Sequence, residues 1–181
     1  MIHSRSLPAL ALVLLALSGG CSNLQRPTTA LKSASLGEVR TDGVGVNFDV
    51  AISNPNAMSI PLTNTGYQLS FGKAKVLDGK LDADMTIPAN GTQSLTVPVH
   101  VTFEQLMAAQ EAIRASGGDV PYTFAGTLDF SGSTFGIPLS VPFEYSGQLP
   151  LKKILSDPAV LLRNPMAREL AKKVLVGAMG K

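Results

Sequence analysis

The sequence predicts a mainly β protein: a seven-stranded antiparallel β-sandwich with one inserted helix and a C-terminal amphipathic helix. Three observations carry the prediction. Apolar and polar residues alternate along stripe after stripe, the signature of half-buried strands. Turn-forming residues fall between the stripes. The period shifts to three and four in the stretch after residue 102 and again near the C-terminus, where helices are expected.

Taken in order, Leu31 to Val39 is a weak first strand. Val44, Val46, Phe48, Val50 and Ile52 make a clear second one. Gly66 to Val76, with Tyr67, Leu69 and Phe71, is a weaker third. Leu81, Ala83, Met85 and Ile87 form the fourth, and Leu95, Val97, Val99, Val101 and Phe103 the fifth. Val120, Tyr122, Phe124, Leu128 and Phe130 mark the sixth; Phe135, Ile137, Leu139, Val141, Phe143 and Tyr145 mark the seventh. Pro88-Ala89-Asn90-Gly91 reads as a turn with positive φ at Asn90 and Gly91, and Ser131 to Thr134 closes a hairpin. The middle pair turns either at Lys73 or at Asp78-Gly79. Pro98, Pro138 and Pro142 cannot donate to a ladder, so their strands belong at sheet edges or bulges. Between the fifth and sixth strands, Phe103, Leu106, Met107, Gln110 and Ile113 recur at helical spacing. Thr102 is the expected cap and Gly117-Gly118 the stop of one helix of about three turns. Short strands punctuated this way point to a sandwich of the fibronectin-III or immunoglobulin kind.

The N-terminus carries a different message. Arg5 precedes an apolar run from Leu7 to Leu17, broken only by Pro8. A bilayer span needs about 20 apolar residues, so the run fits a secretory signal over residues 1–20 instead. Ser18-Gly19-Gly20 lead to Cys21, the chain's one cysteine. This resembles a lipobox, in which the cysteine becomes the acylated first residue of the mature protein. Ser18 stands where a larger aliphatic residue is usual. Several acyl chains, at about 0.8 kcal/mol per buried methylene, hold a protein stably on a membrane. Ser22, in place of an aspartate, favours the outer membrane of a Gram-negative host, with the protein facing the periplasm. The expected organisation is a signal over 1–20, a tether over 21–30, the sandwich over 31–150 and a basic helical tail over 151–181.

Charge separates the last two parts. Cys21 to Pro150 holds seven basic residues against eleven acids, whereas Leu151 to Lys181 holds seven basic residues against Asp157 and Glu169. In the tail, Asn164 reads as a helix cap and Pro165 as the first helical residue, after a shorter helix within Leu151 to Leu162. Met166, Leu170, Val174 and Ala178 repeat every fourth residue, while Arg168, Lys172 and Lys173 take other faces. Such a helix either packs on the sandwich or lets those cations meet anionic lipid or an acidic partner.

The segments VNFDVAISNPNAMSIPL at 46–62 and IPANGTQSLTVPVHV at 87–101, set in this order of elements, resemble the WHy (water stress and hypersensitive response) domain. That domain belongs to the LEA14-like, group 2 late-embryogenesis-abundant family, and the resemblance spans about residues 31–147. It implies a folded, non-enzymatic domain associated with desiccation and cold, protecting other proteins as they unfold. Within the motif, Asn54 can cap the turn, Pro55 fixes φ at the corner and Asn56 tolerates the left-handed region. The three residues make either a well-built corner or a direct binding site.

Catalytic sets are missing from the pattern. His100 is the one histidine after the signal and lies on a strand's polar face. Asp78, Asp82 and Asp84 form an acidic group with no glycine-turned loop or further ligand, so a solvated face is expected and no metal or cofactor. No Gly-rich phosphate loop and no G-x-S-x-G occurs. Export argues against nucleic acid as a partner, and proline-bearing edges favour a monomer. Two functions of different class follow: a membrane-anchored stress-protective module, or a carrier of lipid or another apolar ligand. A filled core favours the first, and a continuous apolar cavity of several hundred Å³ favours the second.

Overall fold

The computed structural model describes residues 24–117, 119–132, 136 and 138–175. The signal sequence, Cys21, Phe135, Ile137 and Ala178 lie outside these described residues. Seven strands are present: β1 Thr28–Val39, β2 Gly43–Asn54, β3 Ile60–Phe71, β4 Ala74–Ile87, β5 Gly91–Thr102, β6 Val120–Phe130 and β7 Leu139–Leu149. They form a three-stranded sheet in the order β1-β2-β5 and a four-stranded sheet in the order β4-β3-β6-β7. Every pairing is antiparallel.

The alternating stripes turn inward and meet between the sheets. Val44, Val46, Phe48, Val50 and Ile52 of β2 are all buried, as are Leu69 and Phe71 of β3 and Tyr122, Phe124, Leu128 and Phe130 of β6. Phe48 stacks flat on Phe124 of the other sheet, ring centroids 3.9 Å apart, and meets the edge of Tyr122 at 5.4 Å. The middle of the sandwich is therefore filled by aromatic rings. Each large side chain buried this way contributes about 1.5–3 kcal/mol. Pro98 lies on β5 and Pro142 on β7, and both strands are sheet edges. An edge strand can lose a donor on its open side without breaking a ladder.

The middle hairpin turns at Gly72, whose φ of 55° suits glycine, followed by Lys73. Asp78-Gly79, the other candidate turn, lies inside β4. A Cβ on Gly79 would stand 2.5 Å from the Tyr67 ring, so that glycine makes room for an aromatic crossing from β3. Strand β3 begins at Ile60, six residues before the expected start, because Ile60 and Leu62 pair with Ile87 and Met85 of β4. Strand β1 also begins early, at Thr28, and Pro27 before it is buried. The segment expected to be a free tether thus joins the sandwich before residue 31.

The inserted helix is two helices, α1 Phe103–Ala108 and α2 Gln110–Ala115, which corrects the expectation of one. Thr102 and Gln105 form a reciprocal capping box at the start of α1. Ala109, at φ −91° and ψ 7°, leaves helical geometry between them. Its N–H still donates to Gln105 and its carbonyl still accepts from Ile113, so the hydrogen-bond ladder runs through the bend. The bend leaves Ala109 itself buried, and one periodic run becomes two short helices.

After β7 come α3 Leu151–Leu155, α4 Pro158–Arg163 and α5 Pro165–Leu175. The side chain of Asp157 accepts from the Ala159 N–H at the start of α4, and Asn164 does the same for Ala167 in α5. Helix α5 packs on α1 and α2 through Ala167, Leu170, Ala171 and Val174. Met166, expected on the buried stripe, is instead exposed. Two alanines take the contact because small side chains let the helices approach closely.

The strands run up and down between two poles. The chain enters at one pole, where the β2–β3, β4–β5 and β6–β7 connections gather. It leaves at the other, among the β1–β2 and β3–β4 turns and helices α1 to α5. No helix among the described residues is long and apolar enough to cross a membrane.

Candidate functional site

Strand β2 ends in a buried polar corner. Asn54 is 1% exposed, and its Nδ2 donates to the carbonyls of Met58 at 2.8 Å and Pro88 at 3.0 Å. Its Oδ1 accepts from the Asn56 backbone N–H at 3.0 Å and from Asn56 Nδ2 at 2.9 Å. Asn54 therefore joins the β2–β3 corner to the β4–β5 turn. Asn56 reaches the other way. Its Oδ1 accepts from the Gln25 N–H at 2.8 Å, and its Nδ2 donates to the Gln25 carbonyl at 2.9 Å, the pattern of one rung of a sheet. Its own carbonyl accepts from the Asn90 N–H at 2.8 Å. Pro55 between them is exposed. Asn56 does not take the left-handed conformation that the sequence reading allowed it; Asn90 does, at φ 48°, while Gly91 keeps an ordinary φ.

Every partner of the two asparagines is a backbone group or the other asparagine. A buried amide with full hydrogen bonding costs little, and one left open costs about 1–3 kcal/mol. The corner is built as a three-way joint, its side-chain amides spent on the protein's own backbone. Sequence reasoning missed Gln25, because its partner lies 31 residues away and nothing local marks it.

The opposite pole is held by Asn164, which is buried and donates from Nδ2 to the carbonyl of Thr41 in the β1–β2 turn. The same residue caps α5, so it fastens the C-terminal helices to the sandwich while starting one of them. Arg168 Nε and Nη2 donate to the Leu161 carbonyl at 3.3 and 3.2 Å, closing the end of α4. Lys172 pairs with Glu169 at 3.0 Å, and this hydrogen bond and charge hold the Glu169 carboxyl below its ordinary range. Lys173 borders a shallow cleft with Gln110, Glu111 and Arg114. The three cations are exposed, and α5 spends its apolar face on α1 and α2.

Other polar groups form local pairs. Asp49, on the outer face of the three-stranded sheet, accepts from Ser33 Oγ and Thr96 Oγ1, each at 2.6 Å. Those two hydrogen bonds, Ser33 first, hold its carboxyl below the usual carboxylate range. Burial pushes the phenols of Tyr67, Tyr122 and Tyr145 up. The Asp42 carboxylate lies 3.2 Å from His100 Nε2, at an angle that makes no hydrogen bond. Asp78 pairs with Lys75 at 2.6 Å, and a left-handed residue at Asp84, φ 35°, kinks β4. Among the described residues no three His, Cys, Asp or Glu side chains gather as a metal site.

Two hollows lie at the surface. A cleft of about 590 Å³ runs between the end of β1 and α4, bordered by Glu38, Arg40, Asp157 and Arg163. An open depression of about 540 Å³ lies over β3, β4 and β6, bordered by Tyr67, Asp78 and Lys80. Both carry charged groups at their rims, unlike an apolar ligand chamber, and the space between the sheets is taken by Phe48 and Phe124.

Fold and site together define a two-sheet antiparallel β domain closed by helices at one pole and by backbone-bound asparagines at the other. The chain belongs to the late embryogenesis abundant (LEA_2) family, whose model matches residues 49–147. It is similar to the late embryogenesis abundant protein Lea14-A of Gossypium hirsutum, with 25% identity over 140 residues, 75% of this chain and 88% of that one. A solution structure from Arabidopsis thaliana shares the fold at TM-score 0.59 and 19% identity, over 74% of this chain and 89% of that one. A crystal structure of a protein from Archaeoglobus fulgidus shares it at TM-score 0.53 and 14% identity, over 69% and 94%. Proteins of this family are generally non-enzymatic.

Proposed function

We propose that this chain is a WHy-type, lipid-anchored member of its family, which protects or engages other proteins at the cell envelope under desiccation or cold. The observation that carries the reading is the family match, which spans β2 through β7 and thus both sheets of the sandwich. The filled core supports it against the carrier reading, since Phe48 and Phe124 occupy the space an apolar ligand would need. The apolar run ending in Ser18-Gly19-Gly20-Cys21 supports acylation at Cys21, and Ser22 supports an outer-membrane place facing the periplasm. A folded body that carries more acids than bases before residue 151 acts as a soluble spacer between clients, since like charge opposes association.

The test uses residues 22–181, which keep both the Gln25 and the Asn164 joints. An unrelated enzyme is dried or frozen with this protein at comparable mass, and its aggregation is followed by light scattering. Protection beyond that of an equal mass of an inert globular protein of similar charge is expected. Protection no better than the control, with lipid co-purifying, would transfer the function to an apolar-ligand carrier.

A further inference from the structure

We infer that the pole built around Asn54 and Asn56 is the surface this protein lays against the bilayer that holds its lipid, and that the basic helices point away from that bilayer. The inference rests on the acylation of Cys21 proposed above. Gln25 is bonded in both directions to Asn56, so the chain is fixed to this pole at residue 25. Cys21 stands four residues earlier. Four residues span at most about 14 Å. A lipid on Cys21 therefore keeps this pole within about 14 Å of its anchor. The strands are about 40 Å long, at twelve residues for β2, and carry α5 to the far end.

The pole is made for that position. The sequence has no Asp, Glu, Lys or Arg between Asp49 and Lys73, between Asp84 and Glu104, or between Asp129 and Glu144. Each of these gaps contains one of the three connections that gather here. Two of the large apolar side chains left exposed, Leu24 at 45% and Met58 at 44%, sit on either side of the Asn56 joint, with exposed Ala57 and Pro88 beside them. Arg26, next to the joint, is a cation suited to lipid phosphate. The outer faces of the sheets are charged, with Asp49, Asp78 and Asp82 beside Lys75 and Lys80. The short tether and the uncharged connections therefore stand the molecule on this end.

The chain contains no tryptophan, so single introduced indoles report cleanly. Full-length Met58→Trp and Leu162→Trp proteins are purified in acylated form and placed in phosphatidylethanolamine–phosphatidylglycerol vesicles whose acyl chains carry bromine, a contact quencher. Leu162 is the control position, 77% exposed at the end of α4. The Met58→Trp emission is expected to shift to the blue and lose most of its intensity relative to vesicles without bromine, with Leu162→Trp unchanged. Equal quenching at both positions, quenching at Leu162→Trp alone, or none at either on acylated protein overturns the inference. Mass spectrometry of Cys21 separates the two levels: a bare cysteine removes the anchor itself, and the inference with it.

Discussion

Two regions of this molecule use buried asparagine for different ends. At the entry pole, Asn54 and Asn56 bind three stretches of backbone: the corner itself, the β4–β5 turn, and Gln25 ahead of β1. The loops around them are uncharged. At the exit pole, Asn164 makes one bond to Thr41 and one cap bond to Ala167, and it attaches a layer of helices that the sheets do not need to pair their strands. That layer is dense in charge, with Arg163, Arg168, Lys172 and Lys173. The difference shows that a joint's weight depends on how much chain it closes. The first joint closes the β framework; the second adds a cover to it.

The strongest perturbation lies between the poles. Phe48→Ala removes the ring stacked on Phe124 and leaves a cavity, at a cost of about 3–5 kcal/mol. Asn47→Ala, on the opposite face of β2, should cost under about 1 kcal/mol. Urea denaturation gives both values. Hydrogen exchange on Phe48→Ala should lose protection at both poles together, since both hang on the same core. Protection that fell at one pole alone would mean the poles are separate folding units.

The asparagine joints come next. Asn54→Ala strands the Met58 and Pro88 carbonyls and two Asn56 donors in a buried corner, and should cost about 2–3 kcal/mol of global stability. Asn164→Ala should cost about 1 kcal/mol, the worth of a helix cap, and act locally. Amide exchange in α5 should speed up while that of β2 and β5 holds. If the two variants lower the melting temperature equally, the distinction between framework and cover is wrong.

The smallest effect sharpens the comparison by sitting on neither pole. Asp49 is ionised more readily in the folded protein than in the unfolded chain, because Ser33 and Thr96 donate to it. Its contribution is full above the ordinary carboxylate range and is lost as acid protonates the folded-state carboxyl below that range. The stability gap between wild type and Asp49→Asn should therefore narrow as pH falls below about 4, the ordinary aspartate value. A gap that stays constant down to strong acid would show that the hydroxyls do not favour the charged form.

The sequence by itself determined the strands, their inward faces and several boundaries, because strand period and cap chemistry are local. Val44 to Ile52 alternate within one segment, Thr102 and Gln105 are three residues apart, and Pro98 and Pro142 report edge positions through their own missing N–H groups. The tertiary structure alone decided which of two turns closes β3 and β4, and why Gly79 is a glycine, since the Tyr67 ring that needs the space comes from another strand. It decided that Ala167 and Ala171, not Met166, face α1 and α2, because helical period marks a broad apolar side and the neighbour selects the strip used. It also decided the meaning of the Asn-Pro-Asn motif. A side-chain amide declares donors and acceptors in sequence, but its partners at Gln25 and Pro88 are more than 30 residues away, and only folding brings them within 3 Å.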